Sequence, residues 1–226
     1  ASSDTTFPDK LISYFSILSM LTRQLINIPV HLGLDHLPNI YCGVAVFVLL
    51  PLYIMCSKVN AREKIGKCVI LLIFLTAFNL NIPNYIWHGM HFPNSLPCRQ
   101  SFIYIFFMLA MCYEAVINLK NSNNKQLGAS LWIAIGLLLI MEELFINSET
   151  EYSFKSVYIS GIFILIYGLL MFIHNNAKLK IPVVLMLAFS VSIIECTMNM
   201  DATGIGTTSR TSYLLDYDAV KTVTKT

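Results

Sequence analysis

The chain reads as an all-α transmembrane protein, a polytopic helical bundle of about six spans with irregular external loops. Three observations predict this. Of its 226 residues, 56% are hydrophobic and 12% charged, with a mean hydropathy of +0.65, a balance foreign to soluble domains. The apolar residues form unbroken runs near the roughly 20 residues that a helix needs to cross about 30 Å of hydrocarbon, not the alternating pattern of a membrane β-barrel. Lysines and arginines gather in alternate connections between those runs.

In chain order, residues 9–28 are apolar but broken by Arg23, Gln24 and Asn27. That pattern argues against a seventh span and leaves two readings, an interfacial helix on the outer leaflet or a connecting helix packed on the bundle. The six spans are 39–56, 67–82, 101–119, 127–146, 156–174 and 181–198, the second and last being short or polar at one end. Lys58, Arg62, Lys64 and Lys67 follow the first span, Lys120 and Lys125 the third, and Lys178 and Lys180 the fifth. Retention of basic loops in the cytoplasm makes these three connections internal. The connections carrying Arg99, and Glu149, Glu151 and Lys155, then face outward, with both chain ends outside. After Met198 a turn-like stretch precedes strand-like alternation at 213–223. The expected organisation is therefore an external interfacial helix and connector (1–38), a six-helix transmembrane segment (39–198) and the start of an external soluble domain (199–226). A chain that opens on Ala1, with no initiator Met or signal-peptide pattern, reads as an internal segment of a longer protein.

The stretch 83–100, PNYIWHGMHFPNSLPCRQ, concentrates chemistry between two apolar runs. Trp87 suits an aromatic belt at the headgroups, or, with Tyr85, a stacking platform for a sugar ring. His88 and His91 are three residues apart, so on a helical turn they would share a face, as a metal site or an acid–base pair requires. Gly89 weakens that helix and no third ligand adjoins, which leaves hydrogen bonding to a phosphate or sugar hydroxyl, or plain interfacial placement. Arg99 offers a fork that fits a phosphate or diphosphate through two parallel hydrogen bonds, or else anchors its helix by snorkelling. Prolines at 83, 93 and 97 exclude a long regular helix here.

Carboxylates within apolar runs point to a protein interior or a wet cavity. Glu142 and Glu143 near the external end of the fourth span, Glu195 near that of the sixth, and Asn79 and Asn81 suggest a polar cavity open outward, with one of the adjacent glutamates pairing with Arg99. Glu114, near the cytoplasmic end of the third span, reads as solvated or locally paired. The six cysteines include only Cys98 in an external loop, with no CxxC or zinc-type spacing; the others behave as small hydrophobes. The binding candidates are thus Tyr85, Trp87, His88, His91, Arg99 and Glu142. No cofactor is expected, a divalent metal being the one held open.

The run LPNIYCG at 37–43, a basic Arg62-Glu63-Lys64 connection, and the stretch 84–102 together resemble the YfhO family of bacterial membrane proteins. The resemblance rests most specifically on Trp87, His88, Gly89, Pro93, Pro97, Arg99, Ser101 and Phe102, with Cys98 where an aromatic is usual. It implies a large GT-C-like glycosyltransferase of the bacterial plasma membrane. Such an enzyme takes a sugar from an undecaprenyl-phosphate carrier and adds it outside the cell to an envelope polymer such as lipoteichoic acid. Membrane lipids, the carrier-linked sugar and the acceptor polymer are the implied partners, and nucleic acid is not. The implied catalytic Asp would precede this segment, so no catalytic base is named, and Arg99 with His88 and His91 becomes the candidate for stabilising the phosphate leaving group. A polyprenyl-lipid flippase or transporter and a non-catalytic membrane scaffold are the other classes.

Overall fold

In the computed structural model, which describes residues 6–30, 37–92, 98–146, 154–176 and 181–203, the apolar runs are helices. In chain order these are α1 (Ile17–Thr22), α2 (Val46–Met55), α3 (Ala61–Asn79), α4 (Asn81–Trp87), α5 (Ser101–Ile117), a 3-10 turn (Leu119–Asn121), α6 (Asn124–Ile146), α7 (Phe154–Asn176) and α8 (Ile181–Thr203). Among the described residues the one β feature is an isolated bridge between Ser13 and Leu80. Among the described residues three stretches are long and apolar enough to cross a membrane: Asn124–Leu144, Phe154–Asn176 and Pro182–Asp201. Val46–Met55 and Ser101–Ile117 are apolar but shorter.

The run 39–56 becomes helical only at Val46, because Gly43 takes φ +97° and sends the preceding chain off the helix axis. Pro51 lies inside α2 and has no N–H for the Phe47 carbonyl. Six of the ten α2 residues are buried on all sides, and the helix packs against α5, α6 and α7, so it is the axis of the bundle. Lys64 caps its end by donating to the carbonyls of Ile54 and Cys56.

α3 starts earlier than the apolar run at 67, with Asn60 accepting from the Arg62 N–H at 3.0 Å and Glu63 in the first turn. The expected span 67–82 is not one helix. Leu80 is extended and separates α3 from α4, because the N-terminal chain runs alongside it. Asn79 Oδ1 accepts from Phe15 N at 3.0 Å and Ser13 Oγ at 3.1 Å, and its carbonyl accepts from Tyr14 N. Asn81 Oδ1 accepts from Ile12 N at 2.8 Å while its Nδ2 donates to the Lys10 carbonyl. These two asparagines hold residues 10–15 to the bundle, and Asn81 also walls an open recess at the same end. Of the stretch 9–28, only Ile17–Thr22 is helical, and Arg23 to Ile26 is buried in protein. α8 runs past Met198 to Thr203, and residues 204–226, read as the start of an external domain, lie outside the described residues.

The end of α2, the start of α6 and the end of α7, which adjoin the basic connections, meet at one end of the bundle. Gln126 Nε2 donates to the Met55 carbonyl at 3.0 Å, Asn124 Nδ2 to Asn176 Oδ1 at 2.7 Å, and Asn175 Nδ2 to the Ser122 carbonyl at 3.0 Å. Glu114 is locally paired there, sharing Lys67 with Glu63. At the opposite, far end lie α4, the start of α5 and the end of α8.

α6 and α7 approach closely because α7 offers glycines to leucines. A Cβ at Gly168 would lie 2.7 Å from Leu131 Cδ1, and one at Gly161 would lie 3.5 Å from Leu138 Cδ1. Gly136, on α6, faces no side chain within 4 Å. Gly168→Leu should therefore cost about 1–3 kcal/mol by overpacking, while Gly136→Leu leaves stability level or raised through helix propensity. Thermal denaturation of the two purified variants, followed by size-exclusion recovery, checks this contrast.

Candidate functional site

Two polar regions stand at the far end. The first is built on α4 and the turn after it. His88 Nδ1–H donates to the Asn84 carbonyl at 2.8 Å, which fixes the ring and leaves Nε2 to accept; Nε2 is buried, with no hydrogen-bond partner among the described residues. Gly89 (φ +74°) and Met90 (φ +64°) then turn the chain sharply, the Met90 N–H closing onto the Tyr85 carbonyl at 3.0 Å. Two left-handed residues in succession explain why His91 does not continue the helical face of His88. Trp87 is 41% exposed, with its ring edge-on to Phe74 at 4.8 Å. Tyr85 is buried, packed between Phe7 at 5.7 Å and Phe92 at 5.2 Å, so its ring supports the turn from beneath instead of presenting a stacking face.

Residues 93–97 lie outside the described residues. The chain re-enters at Cys98 (φ +63°), whose buried thiol points toward the Phe78 carbonyl. Burial pushes that thiol up to about 12. Arg99 is exposed at the start of α5, and beside it Gln100 is buried, neither side-chain atom hydrogen-bonded among the described residues. Asn84 is likewise fully buried, with the Tyr14 hydroxyl beside its amide. Burial is also the main reason that the Tyr14 hydroxyl titrates above its usual range. Loop and N-terminal chain share an open recess of about 410 Å³ whose walls include Thr6, Asp9, Lys10, Asn81 and Phe92. Among the described residues no three His, Cys, Asp or Glu side chains converge as a metal site.

Glu142 belongs to another face. Its carboxylate accepts from the Tyr158 hydroxyl at 2.8 Å, across the α6–α7 contact. Tyr85, Trp87, His88 and His91 are thus brought together on one turn, Arg99 stands at the head of α5, and Glu142 sits between the two helices that follow.

The second region is centred on Glu195, 2% exposed and about 21 Å along α8 by helical rise. Its Oε1 accepts from the Tyr41 hydroxyl and the Val44 N–H, each at 2.7 Å, and its Oε2 from the Tyr167 hydroxyl at 2.7 Å. Three donors, two from the chain ahead of α2 and one from α7, converge on one carboxylate, which offsets the cost of removing it from water. On the far side of Tyr41 is a small recess of about 160 Å³, walled by Arg23, Asn39, Tyr41 and Asn199 among others. Arg23 is itself buried, donating to the carbonyls of Pro38 (3.1 Å) and Pro29 (2.8 Å) and to Asn39 Oδ1 (2.6 Å). On the other side, Tyr167 lines an apolar cleft of about 480 Å³ that opens toward the basic end.

The signal for Glu195 is visible in the sequence as a carboxylate in an apolar run, but its tyrosine partners are 28 and 154 residues away. The buried amides of Asn84 and Gln100 carry no such signal, since both types are common in loops.

Long apolar helices around a buried carboxylate define a polytopic membrane protein. The sequence match says which: residues 2–226 match the family described as bacterial membrane protein YfhO, and the chain belongs to that family. No curated protein and no solved structure matches it.

Glu195→Leu should destabilise the protein by roughly 2–4 kcal/mol, because it strands two hydroxyls and an N–H, whereas Glu195→Gln keeps an acceptor for Tyr41 and Val44 and should cost less. Thermal midpoints of both variants in one detergent test the order. A chain retaining only Cys98 should react with a soluble maleimide at least about tenfold more slowly when folded at neutral pH than after SDS unfolding. Mass spectrometry of the adduct measures the ratio.

Proposed function

We propose that the chain is part of a multi-spanning GT-C-like glycosyltransferase. It transfers a sugar from an undecaprenyl-phosphate carrier to an envelope polymer such as lipoteichoic acid, outside the bacterial plasma membrane. The observation that carries this reading is the far-end turn of a YfhO-family protein, where exposed Trp87 adjoins a histidine whose Nδ1 is fixed by a backbone carbonyl, with Arg99 exposed at the start of α5.

In this reading α2, α3, α5, α6, α7 and α8 are the six crossings, the basic end faces the cytoplasm, and both segment ends lie outside. The acceptor hydroxyl oxygen bonds to the sugar's anomeric carbon as that carbon's bond to the carrier phosphate breaks; the phosphate keeps the electron pair, and the hydroxyl proton passes to the implied catalytic Asp that precedes this segment. Arg99 stabilises the charge that develops on the phosphate through the guanidinium fork. Trp87 packs on the apolar face of the sugar, while His88 and His91 hydrogen-bond its hydroxyls or the phosphate. Tyr85 acts from beneath by positioning the turn. Glu142, tethered to Tyr158, lines the outward approach between α6 and α7. Asp9, on the recess wall with Phe92, is the carboxylate on the loop's flank available to orient an acceptor hydroxyl.

A second reading, transport of a polyprenyl lipid, is favoured by the polar recess and apolar cleft on opposite sides of the Glu195 network. In cells whose only copy of the full-length protein carries Arg99→Ala at matched membrane abundance, the sugar content of purified lipoteichoic acid by NMR should fall by about tenfold or more. Unchanged decoration would remove Arg99 from the site. Purified protein given carrier-linked sugar and acceptor in detergent separates the two readings. A transferase makes product with no membrane to cross, and a transporter makes none.

A further inference from the structure

The apolar cleft walled by Tyr167 is remote from the far-end loop and plays no part in the sugar transfer proposed above. Its lining comes from α2, α5, α7 and α8, and includes Tyr113 and Ile117 on α5, Tyr167 on α7 and Leu185 and Ala188 on α8. At about 480 Å³ it falls within the roughly 300–1,000 Å³ of cavities that hold small ligands. It spans the two turns of α7 from His174 to Tyr167, about 10 Å of depth.

The cleft is apolar within and cationic at its mouth. Lys120, on the 3-10 turn after α5, and His174, in the last turn of α7, line the end at which the basic connections meet. Among the described residues its lining contains no Asp or Glu, and Glu63 and Glu114, the carboxylates of that end, are both engaged with Lys67. α8, which forms one wall, buries only 11% of its spanning window, against 44% for α7, so this side of the bundle meets hydrocarbon. A hydrocarbon-lined slot that ends in a lysine and an imidazole at headgroup depth matches an amphiphile with a long apolar chain and an anionic head.

We propose that this cleft holds one acyl chain of an anionic glycerophospholipid from the adjoining leaflet, with its phosphate on Lys120 and His174. The chain passes between α5 and α8 and ends against Tyr167.

The test uses the full chain reconstituted in phosphatidylcholine nanodiscs doped with phosphatidylglycerol or phosphatidylcholine bearing a diazirine on the acyl chain, with cross-linked peptides mapped by mass spectrometry. The phosphatidylglycerol probe should label segments 113–117 and 184–188 several-fold more than the phosphatidylcholine probe. Lys120→Gln and His174→Gln, both at partly exposed positions, should each lower that preference, by about fivefold for the lysine. Ala188→Trp should block labelling by both probes. Equal labelling by the two lipids, unmoved by Lys120→Gln and His174→Gln, would overturn the proposal in favour of ordinary boundary lipid. Absence of lipid label there, with Ala188→Cys cross-linking to another protein segment, would overturn it in favour of a packed helix.

Discussion

A carboxylate inside an apolar bundle sets the condition that the rest of this fold meets. Glu195 can be buried in α8 only because the Tyr41 hydroxyl, the Val44 N–H and the Tyr167 hydroxyl all reach it. Two of those donors lie on the irregular chain ahead of α2, so the same bonds that neutralise the desolvation cost also fix where α2 begins. Gly43 is needed there for its backbone. A Cβ would come no closer than 3.8 Å to Glu195 Oε1, an ordinary contact, but φ +97° is disfavoured for any side-chain-bearing residue. Since α2 packs on α5, α6 and α7, the position of one helix start is passed to the bundle.

The two ends of the bundle are held by different physics. At the basic end, asparagine and glutamine side chains tie α2, α6 and α7 together, and Lys64 satisfies the terminus of α2. At the far end the partners are backbone groups of the N-terminal chain, held by Asn79 and Asn81, together with Ile26 N on Ser160 and Asn27 N on Asn199. The second arrangement leaves aromatic rings and charged side chains, among them Trp87, Asp9 and Arg99, on or near the surface. Among the described residues it also leaves buried polar atoms on His88 and Gln100 without a hydrogen-bond partner.

The helices α6, α7 and α8 are legible in the sequence because an unbroken apolar run at that length has few alternatives to a spanning helix. α2 and the break between α3 and α4 are not, because they depend on distant partners. Leu80 is extended on account of Ser13, and Val44 donates to a residue 151 positions away. The loop candidates were legible as a group since Trp87, His88 and His91 are adjacent in sequence, which also tells nothing of which way each faces. That Tyr85 is buried between two phenylalanines, or that Glu142 belongs to Tyr158 across α6 and α7, follows from tertiary packing that no local pattern encodes.

Tyr167 belongs to both halves of this architecture, for its ring walls the apolar cleft while its hydroxyl holds Glu195. Moving the ring outward withdraws a donor from a buried carboxylate, a cost on the order of 1–3 kcal/mol, so the cleft has one fixed wall and a sharp limit to its depth. Beyond that wall lie Tyr41 and the recess containing Arg23. The hydrogen bonds that make Glu195 tolerable are therefore also the partition between a hydrocarbon-compatible space and a polar one. A ligand of either kind is favoured on its own side so long as the partition stands.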